Sequence, residues 1–381
     1  MVNAVVTLIK FSDPNTDPRL IKEIAALKKN GYRINILCKN RLLNGNLNAT
    51  DSCNVKEFNI ETKEGLKSII FWPIWWLFVT YWLTKIDCDI IHAQNYSSIL
   101  PALIIGKLKN KVVIYEILDT SYDAINLPFN LRSAIIFFDK LLMRFSNAII
   151  LADENQIIQF NGIPNANISI IYDSALDIYQ DYSSQSDEID NGIFEILYVG
   201  VLYKIRHLNL DKLSRAVCDI DGVRLTIAGY GDLVEDIKKW ESNSKGKIKF
   251  IGRISYTESL RLSLRADALI VLRDSAIRTN RYICGSKIWE AMMCGKPILV
   301  NSGTSTADKV NAEECGLIVN ADEIQEIRDA IVAMRDNPQL CKELGSNARR
   351  SYEERYSWDL MEARLINLYI NLFSAYCSNP G

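Results

Sequence analysis

The sequence predicts an α/β protein made of two doubly wound, Rossmann-like domains with parallel sheets. The chain has 381 residues, which is more than one hydrophobic core usually holds. Strand-like apolar runs alternate with helix-like amphipathic runs throughout, as in parallel sheets with crossover helices. A polar, turn-rich stretch at 180–192, QDYSSQSDEIDNG, is the best linker candidate. The predicted domains are therefore residues 1–182 and 193–357.

The first half begins with a predicted strand near Val5 and a helix with clear signals at both ends. Asp17 caps this helix, Pro18 occupies its first position and Gly31 closes it. The other strands predicted in this half lie near Ile34, Ile90, Val113, Ile149 and Ile170. The second half has predicted strands near Leu197, Leu225, Phe250, Leu269, Ile298 and Leu317. It ends in a long amphipathic helical pattern from Trp358 to Phe373.

The composition is that of a folded protein with no bulk electrostatic reason to bind nucleic acid. The formal net charge is −2, with 24% charged and 48% hydrophobic residues. None of the nine cysteines belongs to a C-x-x-C pair, which disfavours a zinc site and a disulfide framework and favours reduced thiols in the cytoplasm. The strand-like run at 5–9 has no basic region or cleavage site, so no signal peptide is predicted. We expect a cytoplasmic protein.

One segment, Ile69 to Leu83 (IIFWPIWWLFVTYWL), departs from this picture because it carries no charge. Its four tryptophans are Trp72, Trp75, Trp76 and Trp82. It is shorter than the ~20 residues that a spanning helix needs, and Pro73 interrupts it. Tryptophan and tyrosine prefer the membrane–water interface, so the sequence favours a helix lying in the surface of a membrane, with peripheral contact. A buried core helix of the first domain is the alternative.

The stretch 278–300, RTNRYICGSKIWEAMMCGKPILV, predicts a loop, a short helix and a buried strand. Gly285-Ser286 indicates the start of the helix, and Gly295 ends it. Lys287 and Glu290 are three residues apart and so share one helix face. A helix N-terminus beside a lysine suits a phosphate, and a carboxylate one turn later can accept both hydrogen bonds of a ribose diol. An ordinary surface ion pair is the alternative.

The ordered residues of this stretch resemble the donor-site signature of the GT-B glycosyltransferases, most of all glycosyltransferase family 4. The matching residues are Asn280, Tyr282, Lys287, Glu290, Met292, Gly295, Lys296 and Pro297. The resemblance extends over nearly the whole chain. Further matches are Asp17-Pro18-Arg19, Asp89 to Ala93, Tyr198-Val199-Gly200 and Ala228 to Gly231.

The resemblance implies the GT-B fold, with the two domains facing across a cleft and a C-terminal helix at 358–381 packing back onto the first domain. It also implies a retaining transfer of a hexose from UDP- or GDP-hexose to a sugar or lipid-linked acceptor, without a metal or other cofactor. In that reaction the donor phosphate takes the acceptor proton. The protein positions the substrates and stabilises the departing diphosphate.

Roles are carried over to the residues at matching positions. Catalytic roles fall to Arg206, Lys287, Asp119 and His92. Donor-binding roles fall to Glu290, Lys204, Gly200, Tyr282, Cys284, Gly285 and Ser286. Acceptor-binding roles fall to Asp17, Arg19, Asn95 and Glu116. For Arg206 a solvated basic turn is the alternative, and for His92 a structural role at a strand end.

Three positions depart from the family pattern. An arginine that contacts the diphosphate is replaced by Val201, a histidine by Leu118 and the first glutamate of E-x7-E by Tyr282. These losses motivate a second hypothesis, a non-catalytic GT-B subunit that holds a partner at the membrane. A sugar-nucleotide epimerase of the same fold is a third. The sequence favours the active transferase because Arg206, Lys287 and Glu290 are retained.

Overall fold

A computed structural model describes residues 4–14, 17–39, 53–60, 70–120, 123, 129–182, 192–204 and 208–378. The chain divides into two compact units. The first unit comprises Met1–Tyr172 and Met361–Gly381, and the second comprises Asp173–Leu360. Each unit holds one parallel sheet with crossover helices. This confirms the predicted α/β class with two doubly wound domains.

The first unit is built on a seven-stranded parallel sheet. Its strands are β1 (Val5–Lys10), β2 (Arg33–Lys39), β3 (Asn54–Phe58), β4 (Ile90–Gln94), β5 (Val112–Ile117), β6 (Ala148–Leu151) and β7 (Ile168–Ile170). They lie in the order β3-β2-β1-β4-β5-β6-β7. Its first five helices are α1 (Pro18–Lys29), α2 (Trp72–Lys85), α3 (Tyr96–Leu108), α4 (Phe129–Phe145) and α5 (Asn155–Gln159).

The second unit is built on a six-stranded parallel sheet. Its strands are β8 (Phe194–Val201), β9 (Val223–Tyr230), β10 (Ile248–Gly252), β11 (Ala268–Val271), β12 (Ile298–Asn301) and β13 (Gly316–Val319), in the order β10-β9-β8-β11-β12-β13. The helices from residue 179 onward are α6 (Tyr179–Tyr182), α7 (Leu210–Cys218), α8 (Val234–Asn243), α9 (Tyr256–Arg265), α10 (Arg278–Tyr282), α11 (Ser286–Cys294), α12 (Ser305–Glu313), α13 (Ile324–Asp336), α14 (Pro338–Ser351) and α15 (Trp358–Ser378), with a π-helical turn at Tyr352–Tyr356. From Met361 onward, α15 belongs to the first unit.

Both sheets have a point where the strand order reverses, between β1 and β4 and between β8 and β11. In doubly wound sheets, ligands bind outside the carboxyl ends of the strands at such a switch point. The two places to look for function are therefore the loops that follow β1, β4 and β5 in the first unit and those that follow β8, β11 and β12 in the second.

All the strands predicted from the sequence are present, but β3 was not predicted. Its sequence, NVKEF, contains two charges and spans only five residues. It pairs only with β2, at the edge of the sheet, so most of its residues are half-buried or exposed. Without a continuous apolar run, a short edge strand gives a weak sequence signal.

The boundary between the units lies before the predicted linker. The unit division falls after Tyr172, whereas the sequence analysis carried the first domain to residue 182. Asp177 explains the difference, because its carboxylate forms an ion pair with Arg349 of α14 at 2.7 Å. This pairing holds the start of the segment on the second unit. Most of the polar stretch itself, at 183–191, lies outside the described residues.

Helix α2 carries the tryptophans for which the sequence predicted membrane contact, and for Trp75 that prediction is wrong. Trp75 is fully buried and stacks on Phe78, with 5.5 Å between ring centroids. Trp76 is half-buried and donates its indole N–H to the Ser97 carbonyl oxygen at 2.8 Å. The helical period turns Trp75 toward the sheet and the hydrophobic core, so Trp75 has no surface left for lipid. In the described part of the chain no helix is both long and apolar enough to cross a membrane.

Candidate functional site

In the second unit, the predicted helix and its capping residues are confirmed. Helix α11 begins at Ser286, with Gly285 in extended conformation at the N-cap, and it ends at Gly295, whose φ of 63° is left-handed. Glycine suits that C-terminal position because it has no Cβ to clash. The next strand is β12, whose residues Ile298–Asn301 are buried. This geometry directs the free N–H groups at the start of α11 toward the edge where β11 and β12 end.

Lys287 and Glu290 form an ion pair on one face of α11. The Lys287 Nζ lies 2.8 Å from Glu290 Oε1 and 2.7 Å from Oε2. The Glu290 side chain is 2% exposed, whereas that of Lys287 is 22% exposed. Each carboxylate oxygen has two lone pairs, so Glu290 keeps acceptor capacity beyond its bonds to Lys287. The pair therefore offers a partly accessible ammonium group and a buried acceptor one turn from a helix N-terminus.

Arg273 is a cation at this edge that the sequence analysis missed. It follows β11 directly, and a Cβ built on Gly285 would lie 3.2 Å from its guanidinium carbon. Its backbone carbonyl accepts a hydrogen bond from Asn301, the last residue of β12, at 2.8 Å. Glycine at 285 thus gives the Arg273 side chain room beside the start of α11. The signal was available in the sequence, because Arg273 comes two residues after a buried strand and loops after strands hold ligands.

The other predicted donor residues next to α11 lie in two environments. Tyr282 ends α10 and stacks under Arg278, with 5.1 Å between its ring centroid and the guanidinium carbon. Cys284 is buried, with its Sγ 3.4 Å from Ser305 Oγ at the start of α12. Ser286 is half-buried in the first turn of α11. Their contact with a donor stays a prediction.

The end of β9 requires glycine at two positions, Gly229 and Gly231. Gly229 pairs with Gly200 of β8, and a Cβ on Gly229 would come within 1.9 Å of the Gly200 carbonyl oxygen. A Cβ on Gly231 would come within 2.2 Å of the Leu202 carbonyl oxygen. The matched glycines therefore serve close backbone approach at the end of this sheet.

The basic residues after β8 are only partly described. Val201 is the last residue of the strand, so no guanidinium stands at that position. The Lys204 backbone N–H donates to Asp232 at 2.7 Å, and its ammonium group pairs with Asp236 at 2.8 Å on the surface. Arg206, the predicted diphosphate ligand, lies outside the described residues. The catalytic role of Arg206 and the donor contact of Lys204 stay predictions.

In the first unit, three of the predicted residues, Arg19, His92 and Glu116, belong to one buried polar network. Arg19 of α1 donates from Nε to Glu116 at 2.9 Å and to Glu23 at 3.0 Å. Its Nη1 donates to the Ile171 carbonyl oxygen at 2.9 Å. Gln94, at the end of β4, donates to Glu23 at 2.7 Å and also contacts Glu116. The guanidinium therefore ties α1 to the carboxyl ends of β5 and β7, and Gln94 adds the end of β4.

His92 joins the same network from β4. Its Nδ1 lies 2.7 Å from the Tyr369 hydroxyl oxygen and its Nε2 lies 3.2 Å from Glu116 Oε2. Tyr369 belongs to α15 and also packs edge-on against Tyr32, with 5.6 Å between ring centroids. His92, Glu116 and Arg19 are all buried, and Glu116 contacts both of the others. The network therefore gives these residues a structural role, and their direct contact with a substrate stays a prediction.

The two carboxyl groups of this network have opposite ionisation behaviour. Burial raises the pKa of Glu23 well above its usual value, and the neighbouring Glu116 raises it further. Burial also opposes ionisation of Glu116, but the charge of Arg19 and the hydrogen bond with His92 outweigh it and lower the pKa of that carboxyl. The pKa values of the two carboxyl groups that share the Arg19 guanidinium are thus shifted in opposite directions, as expected when two carboxyl groups lie close together.

Glu23, His92 and Glu116 also have the donor atoms for a metal ion, with ligand atoms within 4.8 Å of one another. The charge at this place argues against such an ion. The Arg19 guanidinium already bonds both carboxyl groups, so a divalent cation there would lie against a buried positive charge. We assign the cluster to the polar network.

Asn95 and Asp119 come together where β4 and β5 end. The Asn95 side-chain carbonyl accepts from the Leu118 N–H at 2.9 Å, and its amide donates to Asp119 at 3.3 Å. Asn95 has a φ of 61°, an uncommon value for a residue other than glycine. Asp119 is exposed. These two predicted residues are therefore held at the accessible end of the sheet, above the buried network.

Asp17 has a structural role as well as a predicted contact with the acceptor. Its side chain accepts from the Leu20 N–H at 3.1 Å, which confirms it as the N-cap of α1. Its carboxylate also forms an ion pair with Lys10, at the end of β1. The cap places Arg19 in the first turn of α1, where its side chain reaches Glu116.

Solved structures that resemble this chain share its whole architecture. Sucrose-phosphate synthase from Thermosynechococcus elongatus superposes with a TM-score of 0.79 at 16% identity, over 98% of this chain and 100% of that one. The Anabaena protein HepE in complex with UDP-glucose gives a TM-score of 0.72 at 16% identity, over 97% and 100%. At this identity the likeness concerns the fold.

Sequence comparison finds a family match in the second unit. Residues 180–351 match the family described as glycosyl transferases group 1, a range that falls within the second unit. The chain has the GT-B fold of glycosyltransferases. It is 25% identical to an uncharacterized glycosyltransferase of Methanocaldococcus jannaschii over 72% of this chain and 73% of that one. It is 23% identical, over 42% of each chain, to a Corynebacterium glutamicum protein named GDP-mannose-dependent monoacylated alpha-(1-6)-phosphatidylinositol monomannoside mannosyltransferase.

Proposed function

We propose that this chain is a retaining group 1 glycosyltransferase that transfers a hexose from UDP- or GDP-hexose to a saccharide or lipid-linked acceptor. The product would enter a cell-surface polysaccharide or a glycolipid. The Lys287–Glu290 pair at the start of α11 carries the proposal. It joins a half-buried ammonium group to a buried carboxylate beside a helix N-terminus, with 2.7 Å between Nζ and Oε2. This is the set of groups that a nucleoside diphosphate needs.

The choice of nucleotides is supported by two of the similar proteins. HepE was solved with UDP-glucose bound, and the Corynebacterium mannosyltransferase is named as GDP-mannose-dependent. In the proposed site the Glu290 carboxylate accepts from the ribose hydroxyls. The diphosphate then lies near Lys287 and the first N–H groups of α11.

The proposed reaction uses the donor itself as the base. The acceptor hydroxyl oxygen attacks the anomeric carbon on the face from which the diphosphate leaves. The bond from that carbon to the phosphate oxygen breaks, and the hydroxyl proton passes to the departing phosphate oxygen. Lys287, with Arg206 as the predicted second cation, stabilises the charge that develops on the diphosphate. In the proposed reaction Asp119, which is exposed and follows β5, orients the acceptor hydroxyl.

The test is titration calorimetry of the full chain with UDP-, GDP- and ADP-sugars, followed by transfer assays with the donor that binds. We expect one of the UDP- or GDP-hexoses to bind and the anomeric configuration of the donor to be kept in the product, as read by proton NMR. An inverted product would refute the retaining mechanism. Binding of a nucleotide sugar without transfer to any saccharide or lipid-linked acceptor would favour the non-catalytic subunit, which the substitutions at Val201 and Leu118 motivate.

Lys287→Ala and Arg206→Ala should each lower kcat about a hundredfold or more, because one charge contact to the leaving group is lost in the transition state. The measurement is turnover at saturating donor. Lys238→Ala is the control, since Lys238 pairs with Glu235 on an exposed helix face. Because Lys287→Ala also leaves Glu290 without its ion partner, thermal unfolding must show that the variant is folded. If either variant keeps wild-type turnover, the residue that it replaces does not stabilise the departing diphosphate.

A further inference from the structure

We propose that the outer face of helices α2, α3 and α4 is a docking surface for an anionic lipid bilayer. Such a surface would hold the protein at the membrane that contains a lipid-linked acceptor, and in this respect the inference rests on the proposed function. The sequence prediction put the contact on the segment Ile69 to Leu83, whereas the proposal leaves out the buried Trp75 and adds the outer faces of α3 and α4. The evidence is an apolar outer face shared by three neighbouring helices, together with the sign of the charges around it.

The three helices form one layer on one side of the first sheet. Trp75 and Val79 of α2, Ile99 of α3 and Met143 of α4 all point into the same hydrophobic core, with alternate residues of β4 and β5. Helix α3 packs against α2 on one side and against α4 on the other. The opposite faces of all three helices are therefore turned away from the sheet, side by side.

Those outward faces carry large apolar side chains. Leu77 of α2 is 71% exposed, Leu108 of α3 is 78% exposed and Phe137 of α4 is 65% exposed. Others on the same three helices include Tyr81, Ile104 and Phe138, each more than half exposed. Soluble surfaces usually expose apolar side chains singly, so a layer in which each helix exposes several is an interaction surface.

The charges on these helices all favour an anionic partner. Their sequences contain a single acidic residue, Asp139, which is buried and accepts a hydrogen bond from Tyr115 at 2.7 Å. Lys85, Lys107 and Arg144 are exposed. The Lys107 ammonium lies 4.0 Å from the centroid of the Phe145 ring, so a cation and an aromatic ring meet at the junction of α3 and α4.

This combination selects a bilayer over a second copy of the chain. In a twofold dimer the face would meet itself, and lysine and arginine side chains would be brought toward one another without an opposite charge. In a membrane, apolar side chains enter the boundary between headgroups and acyl chains, while the cations reach the anionic headgroups. The one environment that satisfies both groups is an anionic lipid surface.

The experiment is co-sedimentation of the full chain with phosphatidylcholine vesicles, with and without phosphatidylglycerol, at low and high salt. We expect the protein to sediment with the anionic vesicles and to be released in part by salt, since exposed charges are screened. Leu77→Ser, Leu108→Ser and Phe137→Ser together should lower the vesicle partition coefficient about tenfold or more, because three apolar side chains leave the interface. Ile318→Ser, which removes an exposed apolar residue of the second unit, is the matched control and should leave sedimentation unchanged.

A second triple variant, with Lys85→Gln, Lys107→Gln and Arg144→Gln, tests the role of the cations. It should bind anionic vesicles more weakly than the wild type, and its binding should depend less on salt. Equal sedimentation of the triple serine variant and the wild type would overturn the proposal, and so would equal binding to neutral and anionic vesicles. A wild-type dimer that the serine variant converts to monomers, without vesicle binding, would assign the face to a second copy and also overturn it. Titration of the same samples with nucleotide sugars distinguishes the two proposals. If no nucleotide sugar binds, the proposed function fails, but the vesicle measurements still test the membrane surface.

Discussion

Glu290→Ala is expected to weaken nucleotide-sugar affinity about tenfold or more, since a hydrogen bond to a charged group contributes about 1.5–3 kcal/mol and 1.4 kcal/mol is tenfold in Kd. The Glu290 carboxylate is buried, and both of its oxygens face Lys287 Nζ at 2.8 and 2.7 Å. In the proposed complex its remaining lone pairs accept from the ribose diol. Titration calorimetry with the donor that the wild type binds is the measurement.

Two variants separate this effect from a general loss of stability. Glu290→Gln keeps the shape and one acceptor oxygen, so its affinity should lie between those of the wild type and Glu290→Ala. Glu313→Gln alters another buried carboxylate of the same unit, which accepts from Ser351 at 2.8 Å and from Tyr356 at 2.7 Å. It should lower the unfolding temperature and leave donor affinity unchanged. A folded Glu290→Ala protein with wild-type affinity would remove Glu290 from the donor site.

The second large effect is expected in the buried network of the first unit. Glu116→Gln should cost about 3–5 kcal/mol in the free energy of unfolding at neutral pH, because it leaves the buried Arg19 guanidinium without its ionised partner. Glu23→Gln should cost no more than about 1.5 kcal/mol, the usual worth of one hydrogen bond. The two residues bond the same guanidinium at 2.9 and 3.0 Å. They differ in the direction of their pKa shifts, which is upward for Glu23 and downward for Glu116.

The pH dependence of the two variants should differ in sign, as measured by urea unfolding between pH 2 and 8. The lowered pKa of Glu116 gives stability above the unfolded value of about 4.3, and that stability is lost as the pH falls through the folded pKa. The defect of Glu116→Gln should therefore shrink in acid. The raised pKa of Glu23 makes wild-type stability fall as the pH rises above about 4.3. Glu23→Gln should therefore improve relative to wild type over that range. Equal defects with the same pH dependence would contradict the opposite pKa shifts of Glu23 and Glu116.

The elements that the sequence predicted best are those with local signals. Helix α11 was predicted to begin at Gly285-Ser286 and to end at Gly295, because a turn residue, a three-residue spacing and a C-terminal glycine all lie within eleven positions. Most of the predicted strands are buried parallel strands, whose continuous apolar runs stand out. Strand β3 was missed because an edge strand with two charges has no such run.

In the candidate site, too, local features could be predicted from the sequence and long-range contacts could not. Lys287 and Glu290 share one face of α11, which follows from helical spacing and was predicted, and the ion pair between them was the stated alternative to a nucleotide site. The bond of Arg19 to Glu116 joins residues 97 positions apart, and the contact of His92 with Tyr369 joins residues 277 positions apart. Spacing along the chain carries no information about such pairs, because strand order and helix packing bring them together.

The sequence by itself determined the α/β class, the bounds of helix α11 and the resemblance to GT-B glycosyltransferases, since these depend on local periodicity, caps and ordered motifs. Only the tertiary structure decided that Arg19, His92 and Glu116 are buried, with Glu116 in contact with both of the others. It also decided that Trp75 faces the core while Leu77 faces outward. A uniformly apolar helix has no polar stripe to mark its outer side, so the side that meets the sheet is chosen by packing against strands far away in the chain.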